Sequence, residues 1–161
     1  MELETTFVMI KPDGLQRRLL GEIISRFERK GLYLAAMKLI QVSDDQAAQH
    51  YAVHEGKPFY TQLVNFITAG PVVAMQWRGN DAIHLVRTMV GSTHGRDAAP
   101  GTIRGDFGIS QSDNLIHASD SPESASAEAA IYFAPEDCLD YTPTLHPWHY
   151  DVKERTGEYP C

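Results

Sequence analysis

Apolar positions in this chain fall into short runs and helical stripes, separated by turn residues. Thr5-Thr-Phe-Val-Met-Ile10 is compact, apolar and β-branched, which predicts a buried strand. Lys11-Pro-Asp-Gly14 reads as a turn. Leu15, Leu19, Leu20, Ile23, Ile24 and Phe27 then recur at helical spacing, with Gly31 placed to end that helix. A second strand is predicted over about Leu32–Val42. Ser43 with Gln46 has capping-box spacing and opens a helix to about Tyr51. Pro58 starts another, carrying Phe59, Leu63, Phe66 and Ile67. The Val-rich run Pro71–Arg78 predicts a third strand. Asn80 is the expected cap of a helix with Ile83, Val86, Met89 and Val90 on its apolar face, ended by Gly91.

Between Ser92 and Asp113 no periodicity survives. A loop of this length in a compact domain is functional or disordered, and its Gly, Thr and Arg content favours an ordered binding loop. Pro122 starts the next helix, Ile131-Tyr-Phe133 is the expected fourth strand, and Pro135-Glu-Asp137 begins a last short helix. The tail from Tyr141 is rich in Pro and aromatics. This order predicts an α+β fold of the βαββαβ, ferredoxin-like kind, with a helical hairpin inserted after strand two. By pattern alone it is one of several α+β options.

Size and charge narrow the picture. At 161 residues the chain is expected to be one domain, residues 1–161, with about 141–161 as a C-terminal extension. A net charge of −7 and a pI near 5.4 argue against a general nucleic-acid binder, which needs a basic face. No apolar run approaches the roughly eighteen residues that span a bilayer. Glu2 and Glu4 do not fit a signal peptide, and Cys138 and Cys161 make no disulfide framework. A soluble, cytoplasmic protein without a membrane partner is the expectation.

The chemistry-bearing stretch is Asn114-Leu-Ile-His-Ala-Ser-Asp120, preceded by Pro100-Gly-Thr-Ile-Arg-Gly-Asp-Phe107. An apolar pair, Leu115 and Ile116, delivers His117 just ahead of the helix-starting cluster Ser119-Asp-Ser-Pro122. A helix start favours anions through its free N–H groups and its dipole. Arg104 adds a guanidinium shaped to fork onto phosphate oxygens. Imidazole, helix start and arginine together point to phosphoryl chemistry on histidine. No G-x-x-x-x-G-K-[ST] stretch occurs, which excludes a Walker-type NTPase.

Lys11-Pro-Asp-Gly14, Arg87, Thr93, Pro100–Phe107 and Asn114-x-x-His-x-Ser-Asp120 together resemble the nucleoside diphosphate kinases, from about Thr5 to about Tyr150. The resemblance implies the ferredoxin-like fold with a four-stranded antiparallel sheet. It implies γ-phosphate exchange between nucleoside tri- and diphosphates, ATP and GTP among them, by a ping-pong mechanism through phosphohistidine at His117. Glu128 matches the glutamate that holds the other ring nitrogen, and Ser119 the serine that supports it. Lys11, Arg87, Thr93 and Arg104 match phosphate-contacting positions, Tyr51 an active-site tyrosine, and Asn114 a sugar contact. Phe59 matches the aromatic that stacks on the base, with Leu63 beside it. Stacking tolerates any base, so broad nucleotide specificity follows. Magnesium is expected to arrive on the nucleotide phosphates, without a protein cage. Family members with such a loop and extension form hexamers, trimers of dimers, so a homo-hexamer is expected over a dimer or tetramer.

The family usually has glycine where this chain has Ala118, a methyl expected close to the incoming phosphate. A weakened, merely nucleotide-binding or interacting relative is therefore the alternative; joint retention of Lys11, Arg87, Arg104, Asn114, His117 and Glu128 argues against it. His50 and His54 have helical ligand spacing but no third ligand in sequence, so they are not read as a metal site. His146-Pro-Trp-His149 is read as tail packing, and Arg104-Gly-Asp106 as a coincidental adhesion tripeptide.

Overall fold

The structure, a computed structural model, describes residues 3–154. Four strands, β1 (Leu3–Ile10), β2 (Tyr33–Ile40), β3 (Val72–Asn80) and β4 (Ile116–Ala118), form one antiparallel sheet in the order β2-β3-β1-β4. The helices are α1 (Pro12–Gln16), α2 (Leu20–Lys30), α3 (Asp44–His50), α4 (Tyr60–Thr68), α5 (Ala82–Val90), α6 (Ile103–Phe107), α7 (Pro122–Tyr132) and α8 (His146–His149). This is the expected βαββαβ path, with α3 and α4 as the hairpin inserted after β2.

Successive side chains of a strand point to opposite faces, and β1 divides the core in two. Val8 and Ile10 pack with Ile23 and Phe27 of α2 and Val86 and Val90 of α5. Phe7 and Met9 pack with Ala47 of α3, Ile67 of α4 and Tyr132 of α7. Helices thus cover both faces, and β1, buried from Phe7 to Ile10, carries no polar face. That is why its sequence is continuously apolar rather than alternating.

Several boundaries differ from the sequence reading. The fourth strand is Ile116–Ala118, pairing with Val8, Met9 and Ile10 of β1. Ile131 and Tyr132 instead close α7, whose alanine-rich run favours continued helix. Tyr132 then stacks on Phe7, with ring centroids 5.4 Å apart. The first helical stripe is broken into α1 and α2 at Arg18, which takes φ 58°. Asn80 ends β3, and Asp81 takes the cap position of α5 without a side-chain bond. Glu4 reaches across from β1 to accept from Ile83 N at 3.1 Å, supplying the missing cap. The hairpin's second helix starts at Tyr60, not Pro58, and Pro135–Asp137 is a single 3-10 turn.

The long loop is ordered by its own bonds and contains α6, begun by Thr102, whose hydroxyl accepts from Gly105 N. Arg26 of α2 pairs with Asp106 at 2.7 Å and donates to Gly101 O at 3.1 Å. The Arg104-Gly-Asp106 tripeptide therefore serves the loop's own architecture. The tail folds back on its own chain: Leu139 N donates to Ala35 O, Tyr141 OH to Leu34 O, and Asn80 N to Tyr150 OH. Cys161 lies outside the described residues, and Cys138 is a free thiol.

Candidate active site

β4 is only three residues long, yet it fixes His117 opposite Met9 on the sheet face that carries α7. α7 runs back beneath it, and Glu128, almost two turns in, meets the imidazole. Glu128 Oε2 lies 2.7 Å from His117 Nε2 and also accepts from the Ser119 hydroxyl. Burial pushes the Glu128 carboxyl up, but the bonds from His117 and Ser119 outweigh it and hold the group below its ordinary value. An ionised carboxylate only accepts, so Nε2 must carry the proton and donate. The remaining ring nitrogen, Nδ1, is then left with its lone pair.

His117 also borders a cavity of about 540 Å³. Lys11, Tyr51, Phe59, Leu63, Arg87, Thr93, Arg104 and Asn114 line it as well. Every nucleotide-contacting residue expected from sequence thus reaches one chamber, while Glu128 and Ser119 stand behind the histidine. Lys11 follows β1 directly and is buried, with Nζ 2.8 Å from Asn114 Oδ1. Burial first, then the Arg104 charge, lowers its pKa to about 8, against the pull of Asp13 and Asp113. Arg104, only 4% exposed, donates to Asn114 O, Gly91 O and Ile116 O. Three of its five N–H groups are so used, leaving two to meet a ligand. Burial and the Arg87 charge bring its pKa down to about 10. Arg87 donates to Ala118 O at 3.4 Å, beside the histidine. Asn114 also donates to Thr93 O and Gln111 O, bracing the loop as well as Lys11. Phe59 is half exposed at the mouth, with His54 edge-on to its ring at 5.4 Å. Burial pushes the Tyr51 hydroxyl up to about 12, which keeps it a neutral donor.

The helix start plays a smaller part than its sequence signal suggests. Ser121 caps α7 by accepting from Ser124 N, and strand pairing rather than the helix end delivers His117. His50, half of the His50/His54 pair, lies against His117 instead, ring centroids 4.7 Å apart. Burial lowers its pKa to about 3, so it stays neutral, and its Nδ1 lies 3.2 Å from Tyr132 OH. His50, His117 and Glu128 bring three ligand-type atoms within 4.8 Å of one another. No sequence signal marks this cluster, since His117 is remote from His50 along the chain.

Ala118 corrects an expectation. It pairs with Val8 in β4, outside the positive-φ residues, and is 2% exposed in the Val8–Val86 cluster. Its methyl lies in that core cluster, on the sheet face opposite His117. The strained backbone lies before the strand: Leu115 takes φ 74°.

Comparison with known proteins agrees with this fold. A family model described as nucleoside diphosphate kinase matches residues 4–138. A nucleoside diphosphate kinase of Carboxydothermus hydrogenoformans is 54% identical over 149 residues, covering 92% of this chain and 100% of that protein. One from Archaeoglobus fulgidus is 50% identical over 151 residues, 94% of this chain and 100% of that protein. Among solved structures, a halophilic nucleoside diphosphate kinase from Halobacterium salinarum in complex with CDP superposes with a TM-score of 0.91 at 46% identity. That match covers 93% of this chain and 100% of the other. Fold and relatives define a nucleotide-dependent phosphotransferase. The chain belongs to the nucleoside diphosphate kinase family.

The site gives two expected outcomes. Ala118→Gly removes a buried methyl and adds backbone freedom, so chemical denaturation should show a loss of about 1 to 2 kcal/mol; turnover should stay unchanged. A large fall in turnover would show that the methyl acts in the site. A lysine that binds phosphate does so only when protonated, and kcat/KM reports the free enzyme. As pH rises through about 8 the Lys11 charge is lost, so kcat/KM should fall by up to about tenfold per pH unit. Lys11→Arg should move the fall to higher pH, and a flat profile to about pH 9.5 would contradict the assignment.

Proposed function

We propose that this kinase works through a covalent phosphohistidine on His117. The carrying observation is that Glu128, ionised and supported by Ser119, occupies Nε2 and leaves Nδ1 for the substrate. The Nδ1 lone pair attacks the γ-phosphorus of a nucleoside triphosphate such as ATP or GTP. A new N–P bond forms, the bond from phosphorus to the β–γ bridging oxygen breaks, and its electrons leave with the nucleoside diphosphate. The Nε2 proton stays in place, and Glu128 offsets the positive charge that grows on the ring. A second nucleoside diphosphate then attacks phosphorus through its terminal oxygen, and the N–P electrons return to Nδ1. One site thereby serves two nucleotides in turn, the logic of covalent exchange.

Lys11, Arg87 and Arg104 bring fixed positive charge to phosphoryl oxygens, which is most of what such a transfer requires. In this reading Thr93 and Tyr51 donate to the phosphates, Asn114 serves the sugar, and Phe59 with Leu63 holds the base by its faces. Among the described residues no carboxylate lines the cavity of Lys11, Arg104 and Asn114, and Asp120 and Glu128 border the adjoining one on the other side of His117. That donor set suits magnesium carried in on the substrate's phosphates and waters, which would supply further positive charge to the terminal phosphate. Ala118, in relaxed strand geometry, removes the one feature that favoured a weakened relative.

We read residues 1–161 as one domain acting in the cytoplasm; among the described residues no helix is long and apolar enough to cross a membrane. We also propose a closed homo-hexamer. Exposed apolar residues support it: Met37 and Leu39 on β2, Ile109 in the loop, and Leu145 and Trp148 in the tail. Because the loop and the described part of the tail are bonded to their own chain, these side chains rather than the loop backbone would form the contacts. Light scattering at micromolar protein should give the mass of six chains, and a mass of one or two would contradict it.

His117→Ala tests the mechanism. Exchange should be abolished while nucleotide binding, by equilibrium titration, is retained. Near-normal exchange by the purified variant would refute the covalent role.

A further inference from the structure

Of Lys11-Pro-Asp-Gly14, the phosphate reading uses only Lys11. The rest of this turn closes on Leu115. Leu115 is fully buried and takes φ 74°, a conformation that a bulky residue rarely adopts. Ile116 N donates to Asn114 O at 2.9 Å, so Asn114–Ile116 forms a γ-turn with positive φ at its centre. Such strain persists only where the surroundings over-determine it. Here both peptide groups of Leu115 are gripped from the Lys11–Gly14 turn. Lys11 N donates to Leu115 O at 2.9 Å, and Leu115 N donates to Asp13 Oδ2 at 3.0 Å. Gly14 lets the grip close, since a Cβ there would meet Leu115 O at 2.6 Å and Ile10 Cγ2 at 2.9 Å.

The γ-turn sets the register of the strand beyond it. It starts β4, in which Ile116 faces Ile10 and His117 faces Met9. A slip of one residue would turn His117 to the opposite face of the sheet. The same turn presents Asn114 O and Ile116 O to Arg104, and the Asn114 side chain to Lys11. We propose that Asp13 is a positioning residue for the phosphoryl-transfer site, holding Leu115 in the left-handed conformation that sets the direction of His117. This rests on the reading of His117 as nucleophile. Burial raises the Asp13 pKa, opposed by the N–H groups of Leu115 and Gly14 and by the Lys11 charge. A carboxylate kept in so unfavourable a place fits a role that a neutral residue without an acceptor could not fill.

Three variants test it, each read by the rate of His117 phosphorylation at saturating Mg·ATP, by nucleotide affinity, and by the pH profile of kcat/KM, which reports the free enzyme. Asp13→Ala loses the acceptor and should slow phosphorylation by about 100-fold, the scale of a misplaced reacting group, while circular dichroism shows a folded protein. Asp13→Asn keeps an acceptor for Leu115 N and should phosphorylate near the wild-type rate. Its alkaline limb should nevertheless begin at lower pH. The groups that set the Lys11 charge are Arg104, Asp13 and Asp113, and removing the Asp13 charge lowers the Lys11 pKa further. Gly14→Ala presses on Leu115 from the other side and should be slow, with the limb unmoved. A folded Asp13→Ala at the wild-type rate overturns the proposal. So does an Asp13→Asn as slow as Asp13→Ala with its limb unmoved, which marks a packing defect only. If Asp13→Ala does not fold, Gly14→Ala at the wild-type rate overturns it. Failure of the nucleophile reading would show separately, as a wild-type protein that gains no phosphate on His117.

Discussion

The bond between His117 Nε2 and the Glu128 carboxylate is the constraint around which the active site is arranged. It requires a strand and a helix to meet within hydrogen-bond distance, and the fold supplies both. β4 is held to β1 by three residue pairs, and α7 packs against the same sheet face through Tyr132 and Phe7. Ser119 adds a second donor to Glu128 through its hydroxyl and is tied to Phe7 O through its backbone N–H at 3.1 Å, so the carboxylate cannot swing away without leaving donors unpaired. His50 closes the remaining side with a neutral ring. An imidazole fixed in this manner has one tautomer and one free nitrogen.

The phosphate end obeys a different physical rule. Lys11 and Arg104 are buried cations with no carboxylate bonded to either among the described residues, held by backbone carbonyls and by Asn114. Burying charge without a counterion is unfavourable, and the lowered pKa values of both groups record that cost. A polyanionic substrate would relieve it. On the proposed reading the donors are already desolvated, which leaves little reorganisation for the moment of transfer.

Much of this is legible in the sequence. The apolar run of β1, the stripe of α2 and the capping box of α3 follow directly from side-chain spacing. Glu128 comes from the family resemblance, and its place almost two turns in from Pro122 is compatible with facing back toward His117. What the sequence hides has physical reasons. Three residues are too few to show a strand period, so β4 reads as a loop and Ile131–Phe133 takes its place. Leu115 adopts a conformation usually reserved for Gly or Asn, and nothing in a leucine announces that. Arg104 can be assigned to phosphate, but its three carbonyl partners lie on separate segments that only the folded chain brings together. Ala118 shows as a departure from its family, yet the face its methyl occupies depends on a register that only pairing with Val8 defines.

The most direct test of the central claim is the chemical identity of the phosphorylated protein. Brief incubation with Mg·ATP, then intact mass and phosphorus NMR, should show one phosphoryl group per chain, on Nδ1 of His117, discharged by added nucleoside diphosphate. No gain in mass, or a phosphoryl group on Nε2, would contradict the account.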